Sequence, residues 1–309
     1  MAKTIVISHW DLDGLASATI LALKLAPVKI WLASVTAVPR YLKKALEEYS
    51  PDQIWISDLN PQISQTNDLR IFIKQARIEG VKIKWIDHHE WDRKIYDLIH
   101  RYNETVWYLV DPSTVTADLI ARRLRIRDNP YINELVSLAI DDDFFMNRYE
   151  LTIRWRRVLR WYSWSIRYKA LNSFIGGDIS PYWMNKMYED EVKNLYENLI
   201  REALGRMDII EKNGFKIIIF QDVDPKVHPG ELTEAAKKNG VTADVYIVRY
   251  PRGASLRSDY YDVSIIAKML GGGGHPYAAG IPGKINISKI IEAVTHTFKQ
   301  RMNTNTIIM

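Results

Sequence analysis

The chain has 309 residues, 47% of them hydrophobic, with a formal net charge of +5 and no cysteine. That length exceeds one small core and suits two domains, and the apolar content excludes a disordered chain. Disulfides and thiolate zinc sites are excluded, no apolar run reaches the roughly 18 residues of a bilayer span, and the small positive excess favours an anionic partner only weakly.

Residues Thr4-Ile5-Val6-Ile7 open directly on a strand pattern with no signal-peptide pattern before them, so a cytoplasmic protein is expected, with no membrane partner. Strands are expected over 4–8, 28–33, 53–57, 81–86 and 105–110. Helices are expected over 14–25, from the second strand to about 49, over 67–79, near 91–101, and over 114–124 and 133–140. Such alternation implies an α/β domain with a parallel sheet and helices on both faces, whose ligands bind at the carboxyl ends of the strands. This domain is expected to cover 1–147.

A basic stretch follows, in which Arg148, Arg154, Arg156, Arg157, Arg160, Arg167 and Lys169 oppose only Glu150. Read as one helix, it places Leu151, Trp155, Val158, Tyr162 and Ile166 on one face and Arg156, Arg160, Trp164 and Arg167 on the other. An arginine row with an aromatic can track a phosphate backbone and stack a base. A solvated basic face, or a homodimer contact anchored by Trp161 and Trp164, explains the pattern equally well. Gly176-Gly177-Asp178 then breaks the helix, and Ser180-Pro181 starts a long one to about 210. Residues 148–210 are therefore expected to be a helical connector. A smaller α/β domain is expected over 211–309, with strands at 216–220, 243–249 and 254–258 and helices at 230–239 and 263–270.

The acids fall in a pattern on this plan. His9, Asp11 and Asp13 follow the first strand, Asp58 the third, and Asp87-His88-His89 the fourth. Asp141-Asp142-Asp143 follow a helix. All can converge on one rim of one sheet. Taken singly, Asp11-x-Asp13 is explained as a helix cap and Asp141–Asp143 as a solvated turn. Together, so many carboxylates would repel one another and take up protons unless neutralised. Two divalent cations supply the counter-charge, and oxygen ligands with one or two imidazoles suit Mn²⁺ or Mg²⁺. Paired cations are a recurrent arrangement for phosphoester hydrolysis.

A second pattern lies near the C-terminal end. Gly271-Gly272-Gly273-Gly274-His275 can bring backbone N–H groups against an anion. His275 can donate to a phosphate and Arg257 can pair with it in bidentate fashion. Arg257, Gly272, Gly273, Gly274 and His275 are thus candidate substrate-binding residues.

His9-Trp10-Asp11-Leu12-Asp13-Gly14, then Ser57-Asp58, then Asp87-His88-His89, then the later aspartates, in that order, resemble the DHH phosphoesterase superfamily. That group includes RecJ nucleases, nanoRNases, cyclic-dinucleotide phosphodiesterases and family II pyrophosphatases. Gly272 to Gly280 resembles the motif of its DHH-associated C-terminal domain. The resemblance implies that Asp11, Asp13, Asp58 and His88 are metal ligands, with Asp58 bridging two ions. It implies His89 at the scissile phosphate and Asp87 tuning the metal shell. His9 is a ligand or a neighbour; Asp143 is the last ligand, with Asp141 its competitor. The implied cofactors are two Mn²⁺, with Mg²⁺ or Co²⁺ as alternatives, in an active site in the cleft between the domains. The implied activity is hydrolysis of short single-stranded RNA or DNA to nucleoside monophosphates, short because 309 residues leave little room for further nucleic-acid domains. Alternative substrates are 3′-phosphoadenosine 5′-phosphate and a cyclic dinucleotide. A non-catalytic single-strand-binding scaffold is the alternative of another class.

Overall fold

Ile5, Val6 and Ile7 are fully buried, as a strand covered on both faces requires. They lie in β1 (Thr4–His9), the centre of a computed structural model that describes residues 3–305, with side chains as far as Phe298. The elements then alternate: α1 (Leu12–Leu25), β2 (Val28–Ala33), α2 (Val38–Tyr49), β3 (Gln53–Ser57), α3 (Thr66–Glu79), β4 (Lys82–Asp87), α4 (Arg93–His100) and β5 (Val106–Val110). Four helices follow in the same unit: α5 (Thr116–Arg123), α6 (Pro130–Asp143), α7 (Glu150–Trp161) and α8 (Trp164–Ile175). The strand order is β2-β1-β3-β4-β5, and every pair is parallel. This is the expected α/β layering.

The chain divides into two units, Met1–Lys186 and Met187–Met309. The division falls inside the stretch expected to be a helical connector, and α9 (Tyr182–Met187) runs across it. The expected single basic helix is instead α7 and α8. Tyr162 is extended (φ −108°, ψ 168°), and Ser163 takes the N-cap position of α8 in extended conformation. The long helix expected to reach about 210 also stops early, because α10 (Lys193–Gly205) gives way to β6 (Met207–Lys212). β6 pairs with β7 (Phe215–Phe220) in a hairpin whose two turn residues, Asn213 and Gly214, both have positive φ (55° and 82°). An Asn-Gly pair is the commonest such turn, because both residues tolerate that conformation.

The second unit continues with α11 (Pro229–Lys238), β8 (Val245–Tyr250), β9 (Gly253–Arg257), α12 (Val263–Met269), β10 (Gly273–His275), β11 (Ala278–Pro282) and α13 (Ile287–Asn305). Its sheet order is β10-β11-β9-β8-β7-β6, antiparallel except for β7 with β8.

One clasp sets the entry to α1. Ser8 Oγ donates to the Gly14 carbonyl (2.7 Å) and lies 2.8 Å from Ser57 Oγ, joining β1, β3 and the first turn of α1. The turn is so tight that a Cβ on Gly14 would stand 2.2 Å from the His9 carbonyl oxygen. Gly14→Ala is therefore expected to destabilise the fold by about 1–3 kcal/mol, the usual cost of overpacking, and to weaken Mn²⁺ binding with it. Urea unfolding and a Mn²⁺ titration check both effects; unchanged stability would mean the turn can open at no cost.

Candidate metal centre

The strand order reverses between β1 and β3, since β2 lies on one side of β1 and β3 on the other. Loops leaving such a switch point diverge and leave a crevice at the carboxyl ends. Asp11 and Asp13 leave β1, Asp58 leaves β3, and Asp87, His88 and His89 stand at the end of β4. Asp58 turns the chain in the left-handed region (φ 56°), which aspartate tolerates better than most residues.

The side chains converge. His9 Nδ1 is 2.7 Å from Asp11 Oδ2 and 3.7 Å from Asp58 Oδ2. His88 Nε2 is 3.5 Å from Asp58 Oδ1 and 3.8 Å from Asp13 Oδ2, and His88 Nδ1 is 3.7 Å from Asp143 Oδ2. His89 Nδ1 is bonded to Asp87 Oδ1 at 2.8 Å, and Trp91 Nε1 donates to Asp87 Oδ2 at 2.7 Å. Asp87 therefore orients His89 and is itself held in place.

Two supports were not legible in the sequence. Asp13 accepts from the backbone N–H groups of Thr116 and Ala117, both at 2.8 Å, at the start of α5. A helix N-terminus is a favourable seat for a carboxylate. Thr116 Oγ1 also donates to Asp58 Oδ1 (3.4 Å). The motif pattern marks a helix start near residue 114 but carries no sign of which acid docks there.

Asp141, Asp142 and Asp143 form the last turn of α6, where a helix end is already negative. Each has a different partner. Asp141 is buried and accepts from the backbone N–H groups of Arg148 (2.8 Å) and Tyr149 (3.3 Å). Asp142 pairs with Arg156 Nε at 2.6 Å. Asp143, 22% exposed, is the one beside His88. Arg156 is thus not on an open face. It is 3% exposed, bonds Asn147 as well, and lies over the Phe145 ring. Arg160 and Trp164 remain more accessible than Arg156, and Trp164 is 41% exposed.

The electrostatics are those of a centre short of positive charge. Burial, and then the carboxylates of Asp13, Asp11, Asp87 and Asp143, push the Asp58 carboxyl well above the usual range. Burial raises Asp13 to about 6, with His88 opposing and Asp143 and Asp11 adding to the rise. Burial opposes a charge on His89, but the Asp87 carboxylate overrides it and lifts the imidazole to about 9. Asp58 Oδ2 and Asp143 Oδ2 are buried without a hydrogen-bond partner. Three donor sets share Asp58: His9, Asp11 and Asp58; Asp13, Asp58 and His88; and Asp58, Asp87 and His89, each with ligand atoms within 4.8 Å of one another. A borderline or hard divalent cation, with carboxylate oxygens and imidazole nitrogens as donors, fits these residues.

In the second unit the glycine run is partly strand. Gly273, Gly274 and His275 form β10, paired with β11. Register aligns His275 with Ala278 and Ala278 with Arg257 across β10, β11 and β9. Backbone crowding accounts for two of the glycines: a Cβ on Gly272 would lie 2.0 Å from the Gly280 carbonyl oxygen, and one on Gly274 (φ 134°) 2.6 Å from that of Ala278. Arg257 Nη1 donates to Ser255 Oγ (2.7 Å) and the Leu256 carbonyl (2.9 Å).

A doubly wound α/β unit with an acidic rim at its switch point, followed in the chain by a mixed-sheet unit, defines the class. Residues 213–300 match the DHHA1 domain model and form such a domain, and the resemblance of the chain to the DHH phosphoesterase superfamily with this domain holds. The fold of the chain is similar to that of an exopolyphosphatase-related protein from Bacteroides fragilis (14% identity, 96% of this chain and 91% of that one, TM-score 0.54). It is likewise similar to a pGpG-specific phosphodiesterase from Vibrio cholerae (11% identity, 96% and 99% covered, TM-score 0.51). No curated protein matches the chain. Among the described residues no helix is long and apolar enough to cross a membrane.

The raised Asp58 carboxyl fixes a sign. Below the carboxylate value of the unfolded chain, near 3.8, both states are protonated and the site costs nothing. As pH rises above that value the unfolded chain ionises first, so metal-free stability falls until the folded carboxyl ionises too. Asp58→Asn is therefore expected to stabilise the metal-free protein at pH 7 and to abolish the rise in Tm expected on adding Mn²⁺. Calorimetry with and without Mn²⁺ measures both; a metal-free variant less stable than the parent would contradict the crowding argument.

Proposed function

We propose that the protein is a divalent-metal-dependent phosphodiesterase that hydrolyses short single-stranded oligonucleotides to nucleoside monophosphates. The observation that carries this reading is the convergence of Asp11, Asp13, Asp58, His88 and Asp143 from four separate places in the chain, two of them with buried, unpartnered carboxyl oxygens. Asp58, common to these donor sets, would help to hold the ions. His9 and Asp11 would complete one shell, and Asp13, His88 and Asp143 the other. When bound, such a pair supplies an activated water and positive charge along the phosphoryl oxygens.

The remaining chemistry belongs to side chains. His89, charged at neutral pH through Asp87, binds a non-bridging oxygen of the scissile phosphate and can protonate the departing sugar oxygen. Water adds to phosphorus, the bond to that oxygen breaks, and a nucleoside monophosphate leaves. Arg257 and His275 are the candidate phosphate-binding residues of the DHHA1 domain. The fold likeness to a pGpG-specific phosphodiesterase supports a short nucleotide substrate over a polymeric one.

The test is a Mn²⁺ reaction with 5′- and 3′-labelled dinucleotides through 24-mers, 3′-phosphoadenosine 5′-phosphate and a cyclic dinucleotide. Dinucleotides are expected to turn over fastest, EDTA to stop turnover, and Asp58→Ala to reduce it at least ~10³-fold, consistent with the several kcal/mol a metal contributes. Binding that survives EDTA, with no turnover of any substrate, would make the protein a scaffold instead. His275→Ala is expected to raise KM for dinucleotides several-fold and leave Mn²⁺ affinity at the parent value; isothermal titration and initial rates separate the two, and lost Mn²⁺ affinity would refute that role.

A further inference from the structure

Trp10 lies between two rim residues, His9 and Asp11, and its ring is 5.3 Å from that of His9. The Arg167 guanidinium lies over the Trp10 ring at 3.8 Å and over the Trp164 ring at 4.8 Å. Arg167 Nε donates to the Leu159 carbonyl (3.1 Å), which fixes the plane of the guanidinium. Burial, and after it the charge of Arg160, lowers Arg167 to about 10, with Asp11 opposing, so Arg167 stays cationic at neutral pH. Among the described residues, neither arginine is within ion-pair distance of a carboxylate, whereas Arg154 is paired with Glu150 and Arg156 with Asp142.

Trp164 is 41% exposed, so part of its indole surface faces solvent. A purely solvated arginine would not be held against two indoles. Together the group offers aromatic surface for a base and two cations for a phosphate. We propose that Trp10, Arg160, Trp164 and Arg167 form a nucleotide-binding platform beside the metal centre, which takes the base and phosphate of the nucleotide adjoining the scissile bond. This rests on reading the carboxylate rim as a phosphodiesterase centre. It gives that centre its preference for nucleotide chains over other phosphoesters.

The test compares the parent with Trp164→Ala on three probes: a normal dinucleotide, and the two dinucleotides with one or the other base replaced by an abasic sugar. The expected result is a rise in KM for the normal dinucleotide about 5- to 100-fold greater than the rise for one of the abasic probes, the range base stacking on an aromatic face produces. Trp164→Phe is expected to restore most of the difference, and Mn²⁺ affinity to remain at the parent value. Equal changes on all probes, or no change on any, would overturn the platform, and Arg167 would then serve only to offset the negative rim. If the parent cleaves none of the probes, the phosphodiesterase reading fails by itself. The same comparison made as Kd, by fluorescence anisotropy in Mn²⁺, still decides the platform.

Discussion

Five carboxylates crowd the end of a parallel sheet, and Asp58, 2% exposed, sits among them with one oxygen unpartnered. Among the described residues no lysine or arginine is within ion-pair distance of that group. The nearest bases are imidazoles, and of these His89 is committed to Asp87. Burying uncompensated charge is costly, so this arrangement lowers stability, and a cation bound there would offset that cost. Most of the surrounding structure serves to keep the carboxylates from moving apart. The Ser8–Ser57 clasp ties β1 to β3, Trp85 Nε1 holds the chain after Asp58 through the Leu59 carbonyl (2.9 Å), and the first turn of α5 grips Asp13.

The end of α6 shows how one acid is selected from three. A helix C-terminus disfavours anions, so three successive aspartates there need three separate compensations. Asp141 takes two backbone N–H groups from the chain entering α7, and Asp142 takes Arg156. With those two satisfied locally, Asp143 is left to face His88. Arg156 thereby acts on the metal rim indirectly, by removing a competitor from it, and its burial under that duty explains why it cannot meet a ligand in solvent.

The parallel sheet and the convergence of His9, Asp11, Asp58 and Asp87-His88-His89 were legible in sequence, because each acid ends an alternating or apolar strand run and parallel sheets place strand ends together. What the sequence hid falls into two kinds. Contacts between distant elements, such as Thr116 with Asp13 or Trp91 with Asp87, carry no periodic signal. Other features carried a signal that a stronger pattern concealed. The run Met207 to Lys212 continues a helical register, yet the Asn213-Gly214 turn marks a hairpin that requires a strand before it as well as after. The basic stretch likewise kept an apolar face through residue 166, while Ser163 offered a fresh helix start that ended the register. The glycine run was legible as a close approach. What approaches Gly272 and Gly274 is the chain's own strand β11.

The break between α7 and α8 changes what the basic stretch can do. A single helix would have aligned Arg156, Arg160 and Arg167 as a row able to follow a phosphate backbone over several nucleotides. In the folded unit, Arg154 and Arg156 are consumed by internal pairs, while Arg167 lies over the rings of Trp10 and the exposed Trp164. A row rewards length, because each further phosphate adds a contact. The charge of the stretch is therefore a poor guide to its reach: helix ends and internal ion pairs keep a basic segment from presenting its cations as one extended row.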